Sequence, residues 1–184
     1  MTIPNLITLF RFFLVPGILF ALLTHRVEWA FAGFLIAGVS DGVDGFIARQ
    51  FNQRSTLGAY LDPMADKILL VSVFLMLGYM GELPLWLVVS AVARDILIMG
   101  AVLISTIMSN PVEVRPLFVS KANTAVQIIL AAVVLGELAF STETFMRQLL
   151  IYLSGLLTVA SAAAYLVGWL RHMSGYGEGD VPRQ

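Results

Sequence analysis

Six apolar runs, each about 20 residues long, occupy residues 3–23, 29–49, 57–79, 83–108, 122–140 and 145–170. A run of that length matches the hydrocarbon thickness of a bilayer when coiled as a helix. At that depth no water can satisfy backbone N–H and C=O groups, so a spanning segment must be a helix or part of a closed barrel. The runs are too long, and the breaks between them too short, for tilted barrel strands. The predicted class is therefore all-α, a polytopic membrane protein with six transmembrane helices. The composition agrees, because 59% of the 184 residues are hydrophobic, 12% are charged and mean hydropathy is +0.88. Polar clusters such as Thr24-His25-Arg26, Gly81-Glu82 and Ser109-Asn110-Pro111 punctuate the runs.

The charge pattern sets the expected orientation. One set of loops and ends carries Arg49, Arg54, Arg115, Lys121, Arg171 and Arg183, whereas the opposite set carries Arg26 and Arg147, which places the first set in the cytoplasm. The opening MTIPNLITLFRFFLVPGILFALL has no basic segment ahead of its apolar run and no small-residue cleavage site, so it reads as a retained first span. One membrane domain, residues 1–170, and a loose polar tail, 171–184, are expected. A net charge of -1 excludes a basic stripe for nucleic acid, and the absence of Cys excludes disulfides and thiolate zinc sites. His25 and His172 read as surface residues at helix ends, and Trp29, Trp86 and Trp169 as interfacial side chains.

Against that background the stretch DGVDGFIARQFNQRSTLGAYLDPMAD, residues 41–66, is anomalous, since it holds four aspartates near membrane depth. An uncompensated carboxylate there costs several kcal/mol. Asp41 and Asp44 are three apart on the second helix, roughly 60° from one another, and Asp62 and Asp66 are four apart on the third, roughly 40°. A short cytoplasmic connection makes these helices antiparallel neighbours, so the two pairs are expected to converge. Four carboxylates repel unless cations hold them ionised. With oxygen donors, no Cys and no nearby His, the expected cofactors are Mg²⁺ or Mn²⁺, as two ions. Gly42, Gly45 and Ala48 on one helix, and the stripe Gly58, Asp62 and Asp66 on the other, leave helix backbone to wall a pocket. Arg49, at the cytoplasmic end of the second helix, is suited to a phosphate oxygen.

The full spacing Asp41-x2-Asp44-Gly45-x2-Ala48-Arg49-x8-Gly58-x3-Asp62-x3-Asp66 resembles the complete signature of the CDP-alcohol phosphotransferase family, with no position departing from it. That resemblance implies a six-helix membrane enzyme, usually a homodimer, which moves a phosphatidyl group from CDP-diacylglycerol to an alcohol and releases CMP. It implies Asp41, Asp44, Asp62 and Asp66 as metal ligands, with Asp66 also the general base. Gly45, Ala48, Arg49 and Gly58 match the nucleotide-binding positions. The chemistry of the residues agrees: phosphoryl transfer needs neutralised phosphate charge, an aligned nucleophile and a base for its proton.

Outside the signature, NQRSTLGAYLDPMADKILL, ARDILIMGAV and RPLFVSKANTAVQIILAAVVL resemble the CMP-forming cardiolipin synthase branch of that family. This implies phosphatidylglycerol as acceptor, and a bacterial cytoplasmic (inner) membrane location with the site facing the cytoplasm. The opening IPNLITLFR is shared with the phosphatidylglycerophosphate synthases, which use glycerol 3-phosphate, and they are the alternative. Both acceptors carry a phosphate, for which Arg94, Arg115 and Lys121 are the candidate cations, and Arg11 on the first span is placed to reach the same pocket. Arg94 has a second reading as a structural pair with Asp95, and Arg115 and Lys121 as headgroup anchors. A cation transporter would also place aspartates in membrane helices, but no inverted repeat or paired broken helices are visible.

Overall fold

In the computed structural model the described residues are 3–50, 56–107 and 118–176, with side chains over 9–42, 64–100 and 118–170. They form α1 (Ile3–Leu23), α2 (Val27–Gln50), α3 (Thr56–Tyr79), α4 (Leu85–Ile107), α5 (Phe118–Phe140) and α6 (Phe145–Tyr176), and among them there is no strand. The elements follow the apolar runs because an apolar segment that leaves water must pair its own backbone groups, and a helix does so within the segment. Even Pro16 lies inside α1 without ending it. Four helix ends depart clearly from the runs: α2 begins early, at Val27, and α5 at Phe118, and the other two have local causes. The fourth helix begins at Leu85, since Leu83 and Pro84 form its entry and Leu87 N–H donates to the Pro84 carbonyl at 3.0 Å. The sixth continues past Leu170 to Tyr176, so part of the expected tail is helical; Arg171 and Met173 there favour helix, and polarity alone does not stop one.

The helices pack in a closed arrangement. α1 lies on α2 and α3; α5 touches α2, α3 and α6; α4 touches α3 and α6. The core where they meet is aliphatic, with Leu22, Ala30, Val73, Leu77, Leu87, Leu130 and Val134 buried. The exterior is apolar too. Phe13, Phe20, Phe118, Phe145 and Leu156 are all exposed. Phe118–Phe140 and Phe145–Leu170 are each long and apolar enough to cross a membrane.

Alternation of helix direction puts the α1–α2, α3–α4 and α5–α6 turns at one end, and all three are closed tightly. At the end of α1, Arg26 N–H donates to the Ala21 carbonyl at 2.8 Å and His25 N–H to the Leu22 carbonyl at 3.1 Å, with His25 at φ 56°. Gly81, at φ 79°, closes α3 through Glu82 N–H to the Leu77 carbonyl at 2.9 Å. Ser141, at φ 50°, closes α5 through Thr142 N–H to the Glu137 carbonyl at 3.0 Å. Arg147 then ties these turns together, 2.8 Å from Glu82 Oε2 and 3.5 Å from Glu137 Oε2. Glu137 Oε1 accepts the Thr144 N–H at 2.8 Å.

The α1–α2 contact depends on Gly33. A Cβ at that position would lie 2.9 Å from Cγ1 of Ile18, which is buried and has nowhere to retreat. Gly33→Ala is therefore expected to lower stability by about 1–3 kcal/mol, the usual penalty for overpacking. Thermal unfolding in detergent checks this, and an unchanged midpoint would show that the two helices separate freely.

Candidate active site

The end opposite the closed turns carries Arg11, Asp41 and Asp66. Arg11, a little past the first two turns of α1, is completely buried. Its Nη1 lies 3.0 Å from Asp41 Oδ1 on α2 and also donates to Asp66 Oδ1 on α3. Three helices thus meet at one guanidinium, and the expected convergence of α2 and α3 carboxylates is realised for Asp41 and Asp66. The exposures define the geometry. The Arg11 side chain is 0% exposed, whereas those of Asp41 and Asp66 are 46% and 45% exposed. The arginine therefore stands behind the carboxylates, and their other faces remain open. The side chains of Asp44, Gly45, Ala48, Arg49, Gly58 and Asp62 lie outside the described residues, although α2 and α3 run through all six positions. Asp44 is one turn beyond Asp41 on α2, and Asp62 one turn before Asp66 on α3.

The donor chemistry here is of the type that divalent ions take, although among the described residues no group of three such side chains comes together. One buried guanidinium supplies a single positive charge to a region where two carboxylates already meet and where two more aspartates lie one turn away on the same helices. All four donors are hard carboxylate oxygens, the set that Mg²⁺ and Mn²⁺ prefer.

The candidate acceptor cations fall in different places. Arg115 lies outside the described residues. Lys121 is exposed in the first turn of α5. Arg94, on α4, is buried and held by protein groups: Nε and Nη2 donate to Ser161 Oγ at 3.2 and 2.9 Å, Nη2 also donates to Ser120 Oγ, and Nη1 donates to Asp95 Oδ1 at 2.8 Å.

Two features escaped sequence reasoning. Lys67, the residue after Asp66, pairs with Asp95 at 2.6 Å and so joins α3 to α4. Between α5 and α6, buried Asn123, Gln127 and Thr158 form a polar seam, with Thr158 Oγ1 donating to Asn123 Oδ1 at 3.1 Å and Gln127 Nε2 to Thr158 Oγ1 at 3.4 Å. The seam had a signal: Asn123 and Gln127 are four apart in an apolar helix, and Ser154, Thr158 and Ser161 share one face of the next. The Lys67–Asp95 pair had none, because its two residues lie on different helices and local periodicity does not pair them.

Comparison with known proteins places these residues in context. The profile of the CDP-alcohol phosphatidyltransferase family matches residues 1–162. A human protein named cardiolipin synthase (CMP-forming) is 34% identical over 181 residues, covering 89% of this chain and 60% of its own. A putative cardiolipin synthase of Mycobacterium tuberculosis (strain ATCC 25618 / H37Rv) is 36% identical over 126 residues, 67% of this chain and 59% of its own. The rice chloroplastic CDP-diacylglycerol–glycerol-3-phosphate 3-phosphatidyltransferase 1 is 30% identical over 184 residues, 90% of this chain and 56% of its own. The chain spans about three-fifths of the length of these relatives.

Proposed function

The chain belongs to the CDP-alcohol phosphatidyltransferase family, and from that premise we propose that it is a six-span membrane enzyme that transfers the phosphatidyl group of CDP-diacylglycerol to phosphatidylglycerol, forming cardiolipin and releasing CMP. The observation that carries the chemistry is the meeting of Asp41 and Asp66, from two helices, in front of one buried arginine. The choice of acceptor is supported by the relatives named as cardiolipin synthases, which are more similar to this chain than the glycerol-3-phosphate enzyme of rice.

In this reading Asp66 takes the proton of the acceptor's primary hydroxyl. The freed oxygen bonds to the phosphatidyl phosphorus as the bond from that phosphorus to the CMP oxygen breaks, and CMP leaves with the displaced electron pair. Two divalent ions, Mg²⁺ or Mn²⁺, held by Asp41, Asp44, Asp62 and Asp66, would neutralise phosphate charge as that happens. Gly45, Ala48 and Gly58 leave room for the nucleotide, and Arg49 takes one of its phosphates. The site lies at the Lys/Arg-rich, cytoplasmic end of the spans, in a bacterial inner membrane, with the acyl chains in lipid and two copies of the chain paired as a homodimer.

For the acceptor phosphate we assign Lys121 and Arg115, the two of three candidate cations that flank the start of α5; Arg94 is enclosed by Ser120, Ser161 and Asp95. Neutralising the true contact is expected to raise the acceptor KM about tenfold, the equivalent of one charge-assisted hydrogen bond, and to leave the KM for CDP-diacylglycerol unchanged. The deciding experiment lets labelled phosphatidylglycerol and labelled glycerol 3-phosphate compete for CDP-diacylglycerol with purified protein. Label from phosphatidylglycerol should reach cardiolipin. Label entering only phosphatidylglycerophosphate would overturn the acceptor and leave the family standing.

A further inference from the structure

We infer that Lys67, Asp95 and Arg94 are positioning residues for Asp66, a mostly buried ion triad that fixes the rotation of α3 about its own axis. The inference rests on the transferase reading above, in which Asp66 is the base. Lys67 follows Asp66 directly, so the two side chains leave α3 roughly 100° apart. Asp66 is drawn to Arg11 on α1, and Lys67 to Asp95 on α4. Two charged ties therefore pull on two sides of the same helical turn, and neither alone defines its azimuth.

The α4 tie is anchored further. Asp95 Oδ1 accepts from both Lys67 Nζ at 2.6 Å and Arg94 Nη1 at 2.8 Å, and its side chain is 13% exposed. Arg94 in turn reaches Ser120 on α5 and Ser161 on α6. Four of the five N–H donors of its guanidinium are engaged by these groups: Nε, one on Nη1 and both on Nη2. A planar fork so occupied, and buried, offers no bidentate face to a substrate phosphate. It is built to hold Asp95 still. Through Asp95 and Lys67 the rotation of α3 is thereby referred to α4, α5 and α6, while Arg11 refers it to α1 and α2. A base displaced by about 1 Å loses up to about a hundredfold in rate, which is the reason to hold α3 from both sides.

The test is a kinetic comparison of Lys67→Met, Asp95→Asn, their double variant and Arg94→Lys in detergent. Each single variant is expected to lower kcat for CMP release about tenfold or more, with the KM of both substrates within about twofold. The double variant should fall no further than the worse single, because both changes cut the same tie. Arg94→Lys keeps the charge and loses the fork, so it should follow the kcat pattern. A tenfold rise in acceptor KM with kcat retained in Arg94→Lys would make Arg94 a phosphate contact and overturn the inference. Wild-type kcat in the singles, or losses that multiply in the double, would overturn it as well. If Asp95→Asn does not fold, Lys67→Met decides, because it leaves Asp95 paired with Arg94. An inactive wild type would remove the transferase reading and this inference together, whereas an active wild type with indifferent variants removes this inference alone.

Discussion

CMP release by Asp66→Asn is expected to fall about a thousandfold, roughly 4 kcal/mol of transition-state stabilisation, with CDP-diacylglycerol binding largely retained. The amide oxygen of asparagine can still accept from Arg11, so the packing of α1 on α3 survives the change. What is lost is the capacity to take a proton, and no other described carboxylate is placed to replace it: Asp41 shares the guanidinium from the opposite helix, and Asp95 is committed to Lys67 and Arg94. The measurement is single-turnover CMP formation at saturating Mg²⁺, paired with nucleotide binding and thermal unfolding of the same preparation. A variant that keeps a tenth of wild-type turnover would show that the proton goes elsewhere.

Chelation is expected to abolish activity, and added Mg²⁺ or Mn²⁺ to restore it. Arg11 is the only cation described at the Asp41–Asp66 contact, and one positive charge does not balance four carboxylates on adjacent helical turns. Asp41→Asn, Asp44→Asn and Asp62→Asn should each cost at least about a hundredfold, roughly 3 kcal/mol, because each removes a charged oxygen that the ions need. Metal titration separates this from damage to the fold: a true ligand variant demands more metal for half-maximal activity, and a misfolded one does not respond. Full activity in chelator would remove the two-ion site.

Much of the helix architecture was legible in the amino-acid order because it follows from local rules. An apolar run must close its own hydrogen bonds, and so each of the six runs is a helix, with boundaries displaced where α2 and α5 begin early, where Pro84 forms an entry and where α6 runs on past Leu170. The three tight turns were less legible. Gly81 announces a left-handed residue, whereas His25 and Ser141 adopt the same backbone without being glycine, held by hydrogen bonds that only the completed turn provides.

The site divides in the same way. That Asp41 and Asp44 share a face of α2, and Asp62 and Asp66 a face of α3, was determined by sequence spacing, since three and four residues bring side chains together on any helix. That the α2 and α3 carboxylates meet was foreseeable from the short connection between them. Only the tertiary structure decided what stands behind them. Arg11 is 55 residues from Asp66, and nothing in local periodicity says which face of α1 turns inward; packing on both α2 and α3 buries it there. Nor could spacing decide between the two readings of Arg94, because a buried arginine looks the same in a sequence whether its fork is open to a substrate or closed by Ser120, Ser161 and Asp95. Its partners come from three different helices, and which side chains share a low-dielectric interior is fixed by how the helices pack against one another.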